Sequence, residues 1–190
     1  YKRQDLFDAD GIYIGSSNDM KLGWNLINGE WYYKYGANLL NGKAEIDGKE
    51  YCFENGIMMK NTASTASLSE YCYGEDGIRL SGTGWKMLDG KWYYLNSKSE
   101  YITGWAMIGT ERYYFLTEED CFAEKKTDKI NYGRIGVMCT GYRVINGRLC
   151  YFDQNGAYRG IRGCENGWYY AKEENDWYFM KGQRVTTGRA

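Results

Sequence analysis

The sequence predicts an all-β fold, a solenoid of stacked β-hairpins with a period of about 20 residues. Two observations carry this expectation. The first is the stretch Gly84 to Tyr94, GWKMLDGKWYY, whose frame recurs at Gly23 to Tyr33 as GWNLINGEWYY. An Asn-Gly or Asp-Gly pair between short aromatic runs is the strongest local hairpin signal, because both central residues must take φ > 0. The second is recurrence. Glycines that open a unit stand at 23, 42, 84, 104, 141 and 160. A lone two-stranded hairpin is marginal in water, so each must bury its rings against the next.

Each unit shows one internal order. A hairpin turn comes first, as at Asn28-Gly29, Asp47-Gly48, Asp89-Gly90 and Asn146-Gly147. An aromatic strand follows: Trp31-Tyr32-Tyr33, Tyr51-Cys52-Phe53, Trp92-Tyr93-Tyr94, Tyr113-Tyr114-Phe115, Cys150-Tyr151-Phe152 and Trp168-Tyr169-Tyr170. A second turn, as at Asn55-Gly56 or Asn155-Gly156, leads to a short exit segment bearing Met, Leu or Ile. The two long intervals between opening glycines are each expected to hold one degenerate unit, around Tyr71-Cys72-Tyr73 and around Tyr132, which gives eight units. Thr117 to Lys129 is polar and reads as an inserted loop or a single helical turn. The expected domain plan is one repeat domain over 1–190, a fragment of a longer protein. Residues 1–22 form a partial unit, 23–165 the repeats (degenerate near 61–83 and 116–140), and 166–190 a terminal unit or cap.

Composition narrows the function. Of 190 residues, 20 are Tyr and 7 are Trp, and the mean hydropathy of -0.67 leaves few aliphatic side chains for one central core. Small local clusters of rings must serve instead. A net charge of -1 shows no nucleic-acid bias. There is no histidine, which removes the commonest general base and metal ligand, and no metal site or cofactor is expected. No apolar run approaches the roughly 20 residues of a membrane span. The carboxylates are scattered, as in Glu118-Glu119-Asp120, so no glycosidase pair stands out and an enzyme is not expected. Six cysteines form no C-x-x-C pair. Cys52 and Cys72 occupy equivalent places in successive units, which leaves two readings open: a disulfide, or inward-facing thiols.

The frame G-W-x6-W-Y-Y, with its turn and Met- or Leu-bearing exit, resembles the cell-wall-binding, or choline-binding, repeat family. Glucan-binding repeats of glucansucrases and the repeats of large clostridial toxins are similar. The resemblance implies a left-handed β-solenoid with ligand sites between consecutive hairpins, each a cage of three rings. A quaternary ammonium has no proton to donate, so it is held on ring faces by cation–π attraction. Carried over by position, the cages are Trp24, Trp31 and Tyr51, and Trp85, Trp92 and Tyr113, with Met107 lining the second. Elsewhere the pattern breaks: Arg112 follows Trp105, Leu149 follows Tyr142, Ile161 stands ahead of Trp168, and Ala44 and Glu50 leave the unit at Gly42 without rings.

The expected function is non-catalytic attachment of a secreted or surface bacterial protein, with an attached catalytic or toxin domain, to choline-bearing teichoic acid or a glycan. Two alternatives stand beside it. One is an α-glucan or host-glycan module in which Glu30, Lys86, Lys91 and Glu111 add hydrogen bonds; the other is a structural or adhesive spacer with decayed sites. Tyr33, Tyr94, Tyr114 and Tyr170 are expected to be core, turned away from the cage rings by strand alternation.

Overall fold

The computed structural model describes residues 5–7, 13–64, 70–123, 135–160, 167–171, 176–181 and 184–186. Its sheets are small and antiparallel, each of two or three strands. The main hairpins pair Gly23–Ile27 with Glu30–Tyr35, Gly42–Ile46 with Lys49–Glu54, Gly84–Leu88 with Lys91–Leu95, Gly104–Ile108 with Glu111–Phe115, and Gly141–Ile145 with Arg148–Phe152. The turns are those the sequence demands. Asp89 and Gly90 take φ of 47° and 70°, the doubly left-handed geometry of a two-residue hairpin loop. No helix of the described residues is long and apolar enough to cross a membrane.

After each aromatic strand the exit segment returns to pair with its end. Phe53 pairs with Met58, Tyr73 with Arg79, Leu95 with Tyr101, Phe115 with Met138 and Phe152 with Tyr158. The exit residue then meets the second turn of the following hairpin. A Cβ on Gly77 would lie 2.4 Å from the Met58 sulfur, and one on Gly156 would lie 2.2 Å from the Met138 sulfur. Glycine is required there because a methionine from the preceding unit fills the space.

The chain divides into two compact units, residues 1–82 with 97–100, and residues 83–96 with 101–190. In the first, Tyr32, Leu39 and Met20 form one apolar cluster, and Ile46, Tyr51, Phe53 and Met58 another, against which Trp24 and Tyr33 pack. In the second, Tyr93, Leu95, Phe115, Leu149 and Phe152 are fully buried. Burying each such side chain is worth about 1.5–3 kcal/mol.

Register corrects one expectation. Trp85 lies opposite Tyr94 and Met87 opposite Trp92, so all four share a face, and Tyr93 with Leu88 and Leu95 takes the other. Tyr94 is two residues from Trp92, and a strand has period two. The buried ring of Trp-Tyr-Tyr is therefore the middle one: Tyr32 and Tyr93 are 1% exposed, whereas Tyr33 and Tyr94 stand among the cage tryptophans. Tyr114 is buried and Tyr170 exposed.

The two long intervals differ. The first holds a shrunken hairpin, Thr62–Ala63 paired with Cys72–Tyr73. In the second, the described residues show a helix, Glu118–Ala123, and no hairpin. Its start is a capping box: the Thr117 hydroxyl accepts from the Asp120 amide, and the Asp120 carboxylate accepts from the Thr117 amide. The Leu116 carbonyl accepts from the Gly136 amide and the Val137 carbonyl from the Leu116 amide, so the segment is an insertion between the Gly104 hairpin and its own exit at Met138. Tyr132 lies outside the described residues.

The last hairpin also departs from expectation. Gly167–Ala171 pairs with Asp176–Lys181, with Trp168 opposite Phe179 and Tyr170 opposite Trp177. Trp168 is thus the Gly-Trp residue of this hairpin, not the first ring of an aromatic strand, and Gly160 belongs to the exit strand Tyr158–Gly160. Its connection at 172–175 lies outside the described residues.

Cys52 is a buried thiol hydrogen-bonded to Tyr73, so no bridge to Cys72 forms. Burial pushes its pKa up. Cys164 lies outside the described residues.

Candidate functional site

Where one hairpin meets the next, four side chains converge in a fixed frame. They are the residue after the opening glycine, the first residue of the Trp-Tyr-Tyr strand, the first ring of the next hairpin's aromatic strand, and the exit residue that pairs behind that strand. At the Gly84 hairpin these are Trp85, Trp92, Tyr113 and Met138. The Met138 amide donates to the Trp92 carbonyl at 2.8 Å and fixes the exit segment beside the rings.

Trp85 is the hub. Its ring centroid lies 6.2 Å from Trp92 and 5.0 Å from Tyr113, with ring planes at 86° and 69°. Tyr94 and Phe115 also pack on it, at 5.2 and 5.8 Å. Together Trp85, Trp92, Tyr113, Met138, Gln154 and Asn155 line a cavity of about 310 Å³. Its lining side chains include no carboxylate, amine or guanidinium. Such a space suits a small cation that cannot hydrogen-bond, and the two amides can meet hydroxyl groups at its edge.

The Gly23 hairpin repeats the ring geometry in the other unit. Trp24 lies 6.0 Å from Trp31 and 5.0 Å from Tyr51, with planes at 90° and 66°. Tyr33 and Phe53 stand at 5.1 and 6.0 Å, and Met58 is the exit residue. The structure therefore brings together both predicted sets of three rings. Met107 it places elsewhere. Met107 lies opposite Arg112 while Tyr113 lies opposite Ala106, so Met107 projects from the other face of that hairpin, 65% exposed. Met138 is the methionine at the cavity.

Two further positions carry charge. At the Gly42 hairpin the four residues are Lys43, Glu50, Tyr71 and Arg79. The Arg79 guanidinium lies 3.5 Å from the Tyr71 ring centroid and forms an ion pair with Glu50, and Lys43 stands 4.8 Å from the same ring. At the Gly104 hairpin they are Trp105, Arg112, Cys150 and Tyr158. Arg112 lies 4.1 Å from the Trp105 centroid, and Tyr158 meets Trp105 edge-on at 5.0 Å. Of the proposed sugar-contacting charges, Glu30 pairs with Lys60, Lys91 with Asp89 and Glu111 with Arg159.

Sequence reasoning missed Met138, Gln154, Asn155 and Tyr158. Gln154 and Asn155 were legible as a turn but not as a wall. Met138 was hidden because the insertion separates it from Phe115, its pairing partner.

Residues 82–125 match the choline-binding repeat family. That segment includes Trp85, Trp92 and Tyr113. Over 92 residues the chain is 33% identical to Toxin A of Clostridium novyi, an alignment covering 43% of this chain and 4% of that protein. It is 28% identical over 162 residues to Glucosyltransferase-S of Streptococcus mutans serotype c, covering 78% of this chain and 11% of the relative. The chain thus spans a small part of both curated relatives. Among solved structures, choline binding protein F from Streptococcus pneumoniae is similar at 23% identity and a TM-score of 0.42, over 96% of this chain and 55% of that one.

Proposed function

We propose that this chain is a non-catalytic attachment module that holds quaternary ammonium groups of choline-bearing teichoic acid or glycan in cages between successive hairpins. Within each unit the hairpins stack as a solenoid with a period of about 20 residues. The observation that carries the reading is the cavity bounded by Trp85, Trp92, Tyr113 and Met138, with the same ring arrangement repeated at Trp24, Trp31 and Tyr51. Ring faces at right angles present negative quadrupole from several sides, and the enclosed trimethylammonium loses little hydration because it makes no strong hydrogen bonds. Each cage is weak alone. Two on one chain raise attachment by effective concentration without new contacts. The full protein would be secreted or on the bacterial surface, with this module anchoring a catalytic or toxin domain.

A second reading has a specific observation behind it. The Gln154 and Asn155 amides border the cavity, which suits stacking of an α-glucan or host-glycan ring with hydroxyls bonded at the rim. Calorimetric titration with choline and, separately, with maltooligosaccharides distinguishes the two. The cage reading expects heat from choline and none from the sugar. Heat from the sugar alone favours the glycan reading, and an intact fold silent to both leaves a spacer.

A further inference from the structure

The Gly104 hairpin carries the cage frame with two of its rings gone. Arg112 stands where Trp31 and Trp92 stand, opposite Met107 as Trp92 is opposite Met87. Cys150 stands where Tyr51 and Tyr113 stand, two residues before Phe152 as Tyr113 is two before Phe115. A decayed site would leave Trp105 alone. Instead the missing ring is supplied from another strand. Tyr158, the exit residue, meets Trp105 at a centroid distance of 5.0 Å with planes at 79°, against 5.0 Å and 69° for Trp85 with Tyr113. Phe152 backs Trp105 at 5.7 Å and 32°, as Phe115 backs Trp85 at 5.8 Å and 38°.

The face so rebuilt is occupied. The Arg112 guanidinium lies 4.1 Å from the Trp105 centroid and 5.8 Å from that of Tyr158, within cation–π range of both. Neighbouring residues hold the two strands together: Arg159, next to Tyr158, donates to Glu111, next to Arg112, at 2.7 Å and to Asp153 at 2.8 Å. In the other unit Arg79 lies on Tyr71 and pairs with Glu50, the residue at the second-tryptophan position. A cation from the chain on a ring of the frame thus occurs twice, from different positions: the second-tryptophan position at Arg112 and the exit position at Arg79.

We infer that Arg112 is the built-in occupant of a third cage, filling the face of Trp105 and Tyr158 with the protein's own cation and excluding an external quaternary ammonium. The inference rests on the cation-cage reading of the open site. The guanidinium does two things there. It covers the ring face a ligand would need, and its fixed positive charge repels a second cation. The site is therefore closed, and Arg112 sets how many cages the chain offers. Removing the charge while keeping an apolar stem opens a cage of Trp105, Tyr158 and residue 112.

Two measurements on the 190-residue chain test this. A thermal double-mutant cycle pairs Arg112→Met with Trp105→Leu. The two are expected to be coupled, with Trp105→Leu costing less Tm in the Arg112→Met background than in the wild type. Additive losses would overturn the internal occupant, whatever choline does. Calorimetric titration with choline then compares wild type with Arg112→Met and Arg112→Trp, each checked for a cooperative melt. One more site per chain is expected in both variants. An unchanged number of sites, in folded variants of a wild type that itself binds, would overturn the exclusion. A silent wild type beside a responding Arg112→Met would remove the open site of the proposed function and keep this one.

Discussion

The Gly84 and Gly104 hairpins lie in the same unit, carry the same Gly-Trp start, and differ in what faces the tryptophan. Trp85 looks into a cavity walled by Trp92, Tyr113 and Met138. Trp105 looks at Arg112 and Tyr158. The scaffold beneath is the same, with one aromatic ring behind each tryptophan at nearly equal distance. The difference teaches that the frame maintains a hub ring for folding, and the side chain seven positions later decides whether the hub is available. A tryptophan there leaves an open cage; an arginine supplies its own cation.

The largest expected effect breaks that comparison at the hub. Trp85→Ala should remove choline binding at the open cage, a loss of about 2 kcal/mol or more in a desolvated site, roughly thirtyfold in affinity. Trp105→Ala should leave choline affinity at the open cage unchanged and lower stability instead. Paired titrations and urea denaturation of the two variants read both outcomes. Equal losses of choline affinity would erase the distinction.

A smaller effect tests the wall. Gly156→Ala places a Cβ against the Met138 sulfur at φ +80°. Its strained backbone should cost about 1 kcal/mol of stability, and displacement of Met138 should weaken choline binding. Met138→Ala should weaken binding by a few-fold, because it removes one wall of the cavity, while Met107→Ala should not. Isothermal titration of the three variants checks this ordering.

The smallest effect concerns acid. Burial alone would raise the Asp153 pKa, but the Ala157 amide, the Arg159 guanidinium and the Asn155 amide outweigh it and hold the carboxyl below its ordinary value. A group depressed in the folded state stabilises above its unfolded pKa, about 3.9, and that contribution is lost as pH falls through the lower folded value. Asp153→Asn should therefore flatten the acid limb of the stability curve by less than about 1 kcal/mol. Urea midpoints measured in pH steps would show it, with choline affinity at neutral pH unchanged.

Most of the hairpins were legible in the sequence because their turns are chemically explicit. Asn-Gly and Asp-Gly pairs fix both the loop and the register, and register fixes which rings share a face. The same logic corrects the expectation for Tyr33 and Tyr94, since period two places them beside Trp31 and Trp92. Which rings meet at Trp24 and at Trp85 was legible too, by position in the frame. The fourth wall was not. An exit residue finds its partner across a turn or an insertion of any length, and no local period links Met138 to Phe115. The last hairpin was misread for a related reason: its Gly-Trp step at Gly167-Trp168 is followed by a longer connection, so two aromatic runs look like successive strands of different units when they pair with each other.

The most direct test of the account is a tryptophan-fluorescence titration with choline of the wild type beside a Trp24→Ala, Trp85→Ala double variant, each confirmed folded by its melt. The account predicts a saturable change in the millimolar range for the wild type and none for the double variant. A folded wild type that does not respond, or a response that survives in the double variant, would contradict it.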